Sequence, residues 1–438
     1  MDNNLTYLEQ LAQQGGGGLA GTQYIFVAAD GTPVENALEL QAAYDQAKTM
    51  SPAADNRITV IAAPGEYALN GLFTMDTQYI DLVSLTGNRD VIFDRADIVG
   101  DPFDFDPYYA YYESELVSSI GECMLVSADN VFVKGIKGKL RQSPNWDNSL
   151  GEGEDYILPI QIGNNLSGLV MENCEGGILS FGGDITFGNN PIEVSGTFTN
   201  CVGGIGSFGY YSTASGTFTN CVGGDYSFGG DGGIASGTFT DCVGGDGSFG
   251  YYGIANGTFT NCQGGDGSFG SDGTASGTFT NCQGSFDSFG GYGTASGTFT
   301  NCVGGDYSFG VYGTASGTFT NCVGGDYSFG VYSIASGVFT DCVGGDSSFG
   351  HYGTASGTFT DCVGGDGSFG YYGTANGTFT NCVGGNGSFG GNNGDPGTLD
   401  GFLYFCRKTA GDFQTLTATG LIRASVDGSN TFIATLDA

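Results

Sequence analysis

From residue 195 to residue 390 the hydrophobic and polar positions recur with one period. The phrase Gly196-Thr197-Phe198-Thr199-Asn200-Cys201 returns with small changes, carrying cysteines at Cys201, Cys221, Cys242, Cys262, Cys282, Cys302, Cys322, Cys342, Cys362 and Cys382. Every step is 20 residues except that from Cys221 to Cys242, which is 21. Each copy continues with Gly-Gly or a close variant, then Ser-Phe-Gly, and in most copies a tyrosine. A fixed period of this size is the mark of stacked repeats, and here it predicts a β-solenoid. In Thr-Phe-Thr the side chains alternate across a strand, so Phe198 is expected inside and Thr197 and Thr199 outside. The next residue is always Asn or Asp. Both tolerate the left-handed backbone of a sharp corner, and stacked side-chain amides can bond along a ladder. The corner resets the alternation, so either Cys201 or Val202 faces inward, and the pattern leaves that choice open. Gly203-Gly204 predicts a second turn, Ser207-Phe208-Gly209 a second wall with Phe208 inside, and Thr213-Ala214-Ser215 a third side with a narrow interior. Ten such coils at about 4.8 Å extend about 48 Å. The extra residue before Cys242 is expected at a corner, because within a wall it would turn side chains to the wrong face.

The flanks break this period. Residues 1–21 predict a short anchor helix, with Leu5, Leu8 and Leu11 or Ala12 on one face, and a glycine hinge at 15–18. Residues 22–71 predict a cap: strand Tyr24-Ile25-Phe26-Val27, turn Asp30-Gly31-Thr32, and a helix over 34–50 burying Leu38, Leu40, Ala43, Tyr44 and Ala47. Strand Ile58-Thr59-Val60-Ile61 and turn Pro64-Gly65-Glu66-Tyr67 follow. A solenoid end exposes unpaired strand edges, which an amphipathic helix can block. This succession resembles the N-terminal cap of right-handed parallel β-helices of the pectate-lyase type, a superfamily of polysaccharide lyases, glycosidases and many phage tailspikes. The resemblance covers residues 22–95 and implies a right-handed parallel β-helix, an all-β fold. Residues 72–194 read as irregular coils with strands at 80–85, 91–93 and 130–133, and with insertions at 101–115 and 142–155. A degenerate repeat stands at Asn173-Cys174 and Ser180-Phe181-Gly182. Residues 391–438 read as a closing cap or oligomerisation domain, with strands at 401–406, 413–419, 421–426 and 431–436.

Charge narrows the function. The formal net charge is −35, and no Lys or Arg lies between Arg141 and Arg407. Nucleic acid and anionic membrane surfaces are therefore excluded as expected partners of the array. The 83 glycines do not fall at every third position, which excludes collagen. Thirteen cysteines would suggest disulfides, but a stacked column spaces them at about 4.8 Å, outside the Cβ separation of roughly 3.5–4.5 Å that a disulfide needs. Buried thiols acting as small hydrophobes are expected instead. One histidine, His351, and no CxxC pair disfavour zinc. The first residues lack the basic and apolar regions of a signal peptide, and no apolar run reaches membrane-spanning length. Folding in a cytoplasm is expected.

Four groups of residues carry candidate chemistry. The first is Asp101, Asp104, Asp106, Glu113 and Glu115, with Arg89, Arg95, Lys134, Lys137 and Lys139 nearby, the one zone suited to a carboxylate pair for glycoside hydrolysis. The second is the column Asp225, Asp246, Asp266, Asp306, Asp326, Asp346 and Asp366, expected as a solvated acidic edge that limits aggregation. Its neighbours repel by about 0.9 kcal/mol in water at about 4.8 Å, which makes it a weak calcium candidate; no other cofactor is expected. The third is the column Tyr211, Tyr252, Tyr292, Tyr312, Tyr332, Tyr352 and Tyr372, with Trp146, suited to a glycan or receptor. The fourth is the outward threonine face, including Thr197, Thr199, Thr217, Thr219, Thr258 and Thr260, which resembles the ice-binding face of insect antifreeze solenoids. The whole plan resembles phage tail fibres and tailspikes. That resemblance implies a homotrimer on a virion, held through the N-terminal helix, that binds a host-surface glycan or receptor. A polysaccharide-degrading enzyme and an ice-binding or adhesive protein are the alternatives.

Overall fold

A computed structural model describes residues 23–97, 122–141, 156–182, 193–390, 398–399, 401–409, 421–423, 425–426 and 432–433. The chain divides into two compact units, 1–176 and 177–438. Both are parallel β-solenoids.

The first unit has three walls. One stacks the strands Gln23–Val27, Ile58–Ala62, Ile80–Ser84, Phe132–Lys134 and Val170–Glu172 in parallel. The second stacks Gly65–Leu69, Val91–Arg95 and Ile136–Gly138. The third stacks Phe73–Met75, Met124–Val126 and Ile160–Ile162. Gly65, Glu66 and Tyr67 thus belong to a strand and not to the expected turn, because Tyr67 fills the core while Gly65 pairs with Val91. The cap helix, α1 (Pro33–Thr49), is the single α-helix among the described residues. It starts at Thr32, whose hydroxyl accepts from the Glu35 amide while the Glu35 carboxylate accepts from the Thr32 amide. This reciprocal cap satisfies two helix-end donors. Its buried stripe is Asn36, Ala37, Leu40, Ala43, Tyr44 and Ala47, an i, i+3, i+4, i+7 pattern. Leu38 is not part of it and is 59% exposed. It sits two residues, about 200°, from Leu40 around the helix. Asn36 is tolerated inside because its side chain accepts from the Gly31 amide and donates to the Glu66 carbonyl.

In the second unit the Thr-Phe-Thr strands, from Thr197–Thr199 to Thr378–Thr380, stack in strict parallel register, Thr197 on Thr217 and Phe198 on Phe218. A second ladder of short strands runs from Thr213–Ala214 to Thr374–Ala375. Between them the valine column supplies a line of single bridges, Val202 on Val222 and onward, with Gln263 and Gln283 in the same line. The open choice is thereby resolved: the cysteines are buried and the valines face out. The Asn or Asp corner is left-handed throughout, for example Asn200 at φ +53 and Asp241 at +54. Each corner amide can then bond its neighbour, as Asn281 to Asn261 at 3.0 Å and Asn301 to Asn281 at 2.9 Å. From Cys221 to Cys382 the thiols donate to a phenylalanine carbonyl of the coil before, Cys221 to Phe198 and Cys382 to Phe359 at 3.4 Å each.

The expectation of a Ser-Phe-Gly wall is overturned. Phe208 has φ +57 and lies in a turn, as do its counterparts up to Phe389 at +58. The left-handed backbone costs roughly 1–2 kcal/mol per residue. It places the ring fully inside, stacked on Phe228 at 4.8 Å and 2°, and edge-on to Phe218 at 5.8 Å and 85°. Burying a phenylalanine contributes about 1.5–3 kcal/mol, and aromatic pairing about 0.5–1.5 kcal/mol more, so packing outweighs the strain. Two phenyl columns, the thiols, the alanines and a wholly buried serine column (Ser207 and its equivalents) fill the core. The serine column has no counterpart in the sequence reading. The extra residue falls in the turn at 230–233, where Asp231 and Gly232 have φ +43 and +80. The strands on either side keep register, Thr213 on Ile234 and Thr217 on Thr238. Residues 401–409 leave the 20-residue period, since Phe402 stands 24 residues after its partner Thr378, yet they add one more coil to the stack. Phe402–Tyr404 pairs in parallel with Thr378–Thr380, Leu403 takes the phenylalanine place, and Cys406 donates to the Phe379 carbonyl at 3.3 Å. The expected strand at 413–419 lies outside the described residues.

Candidate functional site

The turn after Ser-Phe-Gly returns the chain to the surface, and the tyrosines stand there. Tyr292, Tyr312, Tyr332, Tyr352 and Tyr372 form one ladder, with successive centroids 4.8, 4.7, 5.1 and 5.1 Å apart and planes within 7° of parallel. All five are exposed. Their faces cover one another, so the ladder presents ring edges and phenol hydroxyls at the pitch of the coils. The other two members of the expected column stand apart. Tyr211 packs on Tyr210 at 4.3 Å, and the coil after it puts Asp231 in its turn. Tyr252 is followed one coil later by Asp272. Trp146, Asp101, Asp104, Asp106, Glu113 and Glu115 lie outside the described residues.

A second aromatic stripe escaped the sequence reading because it draws on two positions. One precedes Ser-Phe-Gly (Tyr226, Tyr307, Tyr327) and one follows it (Tyr210, Tyr251, His351, Tyr371). The rings interlock along the coils: Tyr226 with Tyr251 at 6.0 Å, Tyr307 with Tyr327 at 5.1 Å, His351 with Tyr371 at 5.1 Å. Where one position holds a tyrosine the other is small, as in Tyr226/Gly230, Gly247/Tyr251, Tyr307/Val311 and Gly367/Tyr371. A Cβ on Gly247 would meet the Tyr226 ring at 2.7 Å. This exchange of volume was the available signal. His351 is buried with Nδ1 2.6 Å from the Gly367 carbonyl, and burial pulls its pKa down.

The aspartate column has a structural use. Asp225 Oδ1 accepts from the Asp246 amide at 2.9 Å, Asp246 from Asp266 at 2.8 Å, and Asp326 from Asp346 at 2.7 Å. The carboxylate reaches up because the residue below the amide is glycine: a Cβ on Gly245 would lie 2.1 Å from Asp225 Oδ1. Asp306 and Asp366 accept in the same way. Among the described residues no three acidic, histidine or cysteine side chains are placed to hold one metal ion. Thr197, Thr217 and Thr258 are exposed and Thr199, Thr219 and Thr260 half-buried, in register from coil to coil. Val338 interrupts the outer column.

In the first unit the basic residues of the expected catalytic zone are engaged in ion pairs. Arg89 and Lys137 meet Glu175 at 3.6 and 2.8 Å, Lys134 meets Glu172 at 2.9 Å, and Arg95 meets Asp97 at 2.8 Å. Lys139 bridges Glu66 and Asp94, and Arg141 also holds Asp94, at 2.7 Å. Burial pushes the Asp94 carboxyl up, but the hydrogen bonds from Lys139 and Arg141 outweigh it and hold the carboxyl below its ordinary range. Comparison with protein-family models, curated proteins and solved structures finds no match to this chain.

Proposed function

We propose that the chain is an attachment protein, the fibre or spike of a virion, which grips an extended surface glycan of its host along the tyrosine ladder. The observation that carries this reading is the exposed, evenly pitched row Tyr292, Tyr312, Tyr332, Tyr352 and Tyr372. Phenol hydroxyls both donate and accept, which suits the hydroxyl groups of a polysaccharide that lies along the coils. The charge of −35 favours a neutral or cationic glycan over an acidic one. The resemblance to tailspikes further supports a homotrimer held to the virion by the N-terminal segment. The test is binding of the full chain to host-surface polysaccharide, with Tyr312, Tyr332 and Tyr352 changed together to Ala. A loss of at least tenfold in affinity, with the circular dichroism spectrum unchanged, is expected. Equal binding by the variant overturns the reading, and shortened polysaccharide in the same assay would move the chain to the degrading enzymes. The in-register threonine columns favour ice binding as a second reading, which stands or falls on thermal hysteresis.

A further inference from the structure

Over one short stretch the second unit departs from its repeat at four neighbouring positions. Ser271 stands where Tyr251 and Tyr371 stand in other coils, and Asp272 where Tyr252 and Tyr292 stand. Phe286 replaces an aspartate of the acidic column, and Asp287 takes the place of Tyr307. Aromatic volume is removed and carboxylate is introduced at one spot. The result is a surface hollow of about 210 Å³, walled by Tyr226, Tyr251 and Phe286 and lined by Ser271, Asp272 and Asp287. It is smaller than the roughly 300–1,000 Å³ of sites for drug-sized ligands.

Two polar atoms of this lining have no partner. Ser271 is 1% exposed, and its hydroxyl makes no hydrogen bond. Asp287 Oδ1 is buried in the same way. Leaving such groups unsatisfied costs about 1–3 kcal/mol each, and no other coil of the array shows this pairing of serine and aspartate. Burial, then the charges of Asp272 and Asp266, push the Asp287 carboxyl up to about 7. No Lys or Arg lines the hollow, and none lies between Arg141 and Arg407 in the sequence. The acids do not converge on a point, since no three acidic, histidine or cysteine side chains among the described residues suit one metal ion. They spread around a space flanked by the rings of Tyr226, Tyr251 and Phe286, and aromatic rings attract organic cations to their faces.

We propose that this hollow binds a small organic ammonium group, with its N–H donors on Asp287, Asp272 and Ser271 and its carbon skeleton against Tyr251 and Phe286. The proposal does not rest on the tyrosine ladder, and the two fail independently.

The test is calorimetric titration of the full chain with propylammonium chloride at fixed ionic strength, with 1-propanol as the neutral counterpart. One saturable propylammonium site per chain and no propanol site are expected. Changing Asp272 and Asp287 together to Asn should weaken the site at least tenfold. The double variant Ser271→Tyr, Asp287→Gly rebuilds the Tyr371/Gly387 pair of an ordinary coil, so it keeps the fold while filling the hollow, and its binding should vanish. Propylammonium binding that persists in the filled variant is diffuse attraction to an acidic chain and overturns the proposal. So does equal binding of 1-propanol, or no propylammonium binding at all.

Discussion

Left-handed residues show how far a single position can be read. Asn and Asp at the corners are legible, because their short polar side chains are tolerated at positive φ. Phe208 and its counterparts are not, because an aromatic residue suggests an extended strand and only the stack above and below reveals why it turns. Asn301 sits at φ +54 and bonds Asn281 and Asn321 at 2.9 Å each. Asn301→Val should lower stability by about 1–2 kcal/mol from the backbone alone, with a further loss from the broken ladder, measured by denaturant unfolding. Asn301→Gly should cost less, since glycine keeps the backbone free of strain. Asp287 gives a pH signature. Its folded carboxyl is raised from an ordinary 3.8 to about 7, so the folded chain holds a proton that the unfolded chain releases. That contribution is complete below pH about 4, falls as pH rises toward 7, and is flat above. Asp287→Asn should therefore match the parent near pH 3.5 and exceed its melting temperature at pH 8. A constant offset across that range would contradict the assignment.

At the scale of one coil, the period showed that the cysteines form a column and the geometry shows where it points. All thirteen cysteines are buried and outside any disulfide. A thiol reagent such as DTNB should label less than one cysteine per native chain and all thirteen after denaturation; fast native labelling would contradict the packing. The phenylalanines are the largest fully buried side chains of the coil. Phe299 stacks on Phe279 and Phe319 at 4.8 Å each and meets Phe289 and Phe309 edge-on. Phe299→Ala should cost about 3–5 kcal/mol. Because each coil contacts only its neighbours, the loss should open the middle of the array before its ends, visible as a local rise in amide exchange around 279–319. The second aromatic stripe stayed hidden for a reason of the same scale: a ring's volume was conserved between two sequence positions, while each position alone looked variable.

Across the second unit, the period dictated the stacked architecture and most of the core but not the second wall, and the hydrophobic helix pattern of 34–50 located the cap of the first, α1 (Pro33–Thr49). The hollow at Ser271 and Asp287 was not legible, because it arises from departures from the repeat that look like drift until they are superposed in space. The acidic column is likewise explained by amide bonds that no composition reveals. Since each of those carboxylates already accepts an amide, the unfolding midpoint should be the same in EDTA and in millimolar calcium at matched ionic strength. A calcium-dependent rise would place a cation on that edge after all. One property of the stacked coils reaches beyond the folded molecule. Register is the same at every step, so the gain or loss of one 20-residue unit leaves every column continuous and moves the far end by about 4.8 Å. Unequal crossing-over within such a gene would yield folded proteins graded in length like the divisions of a ruler, and reach toward a target would be inherited as a count.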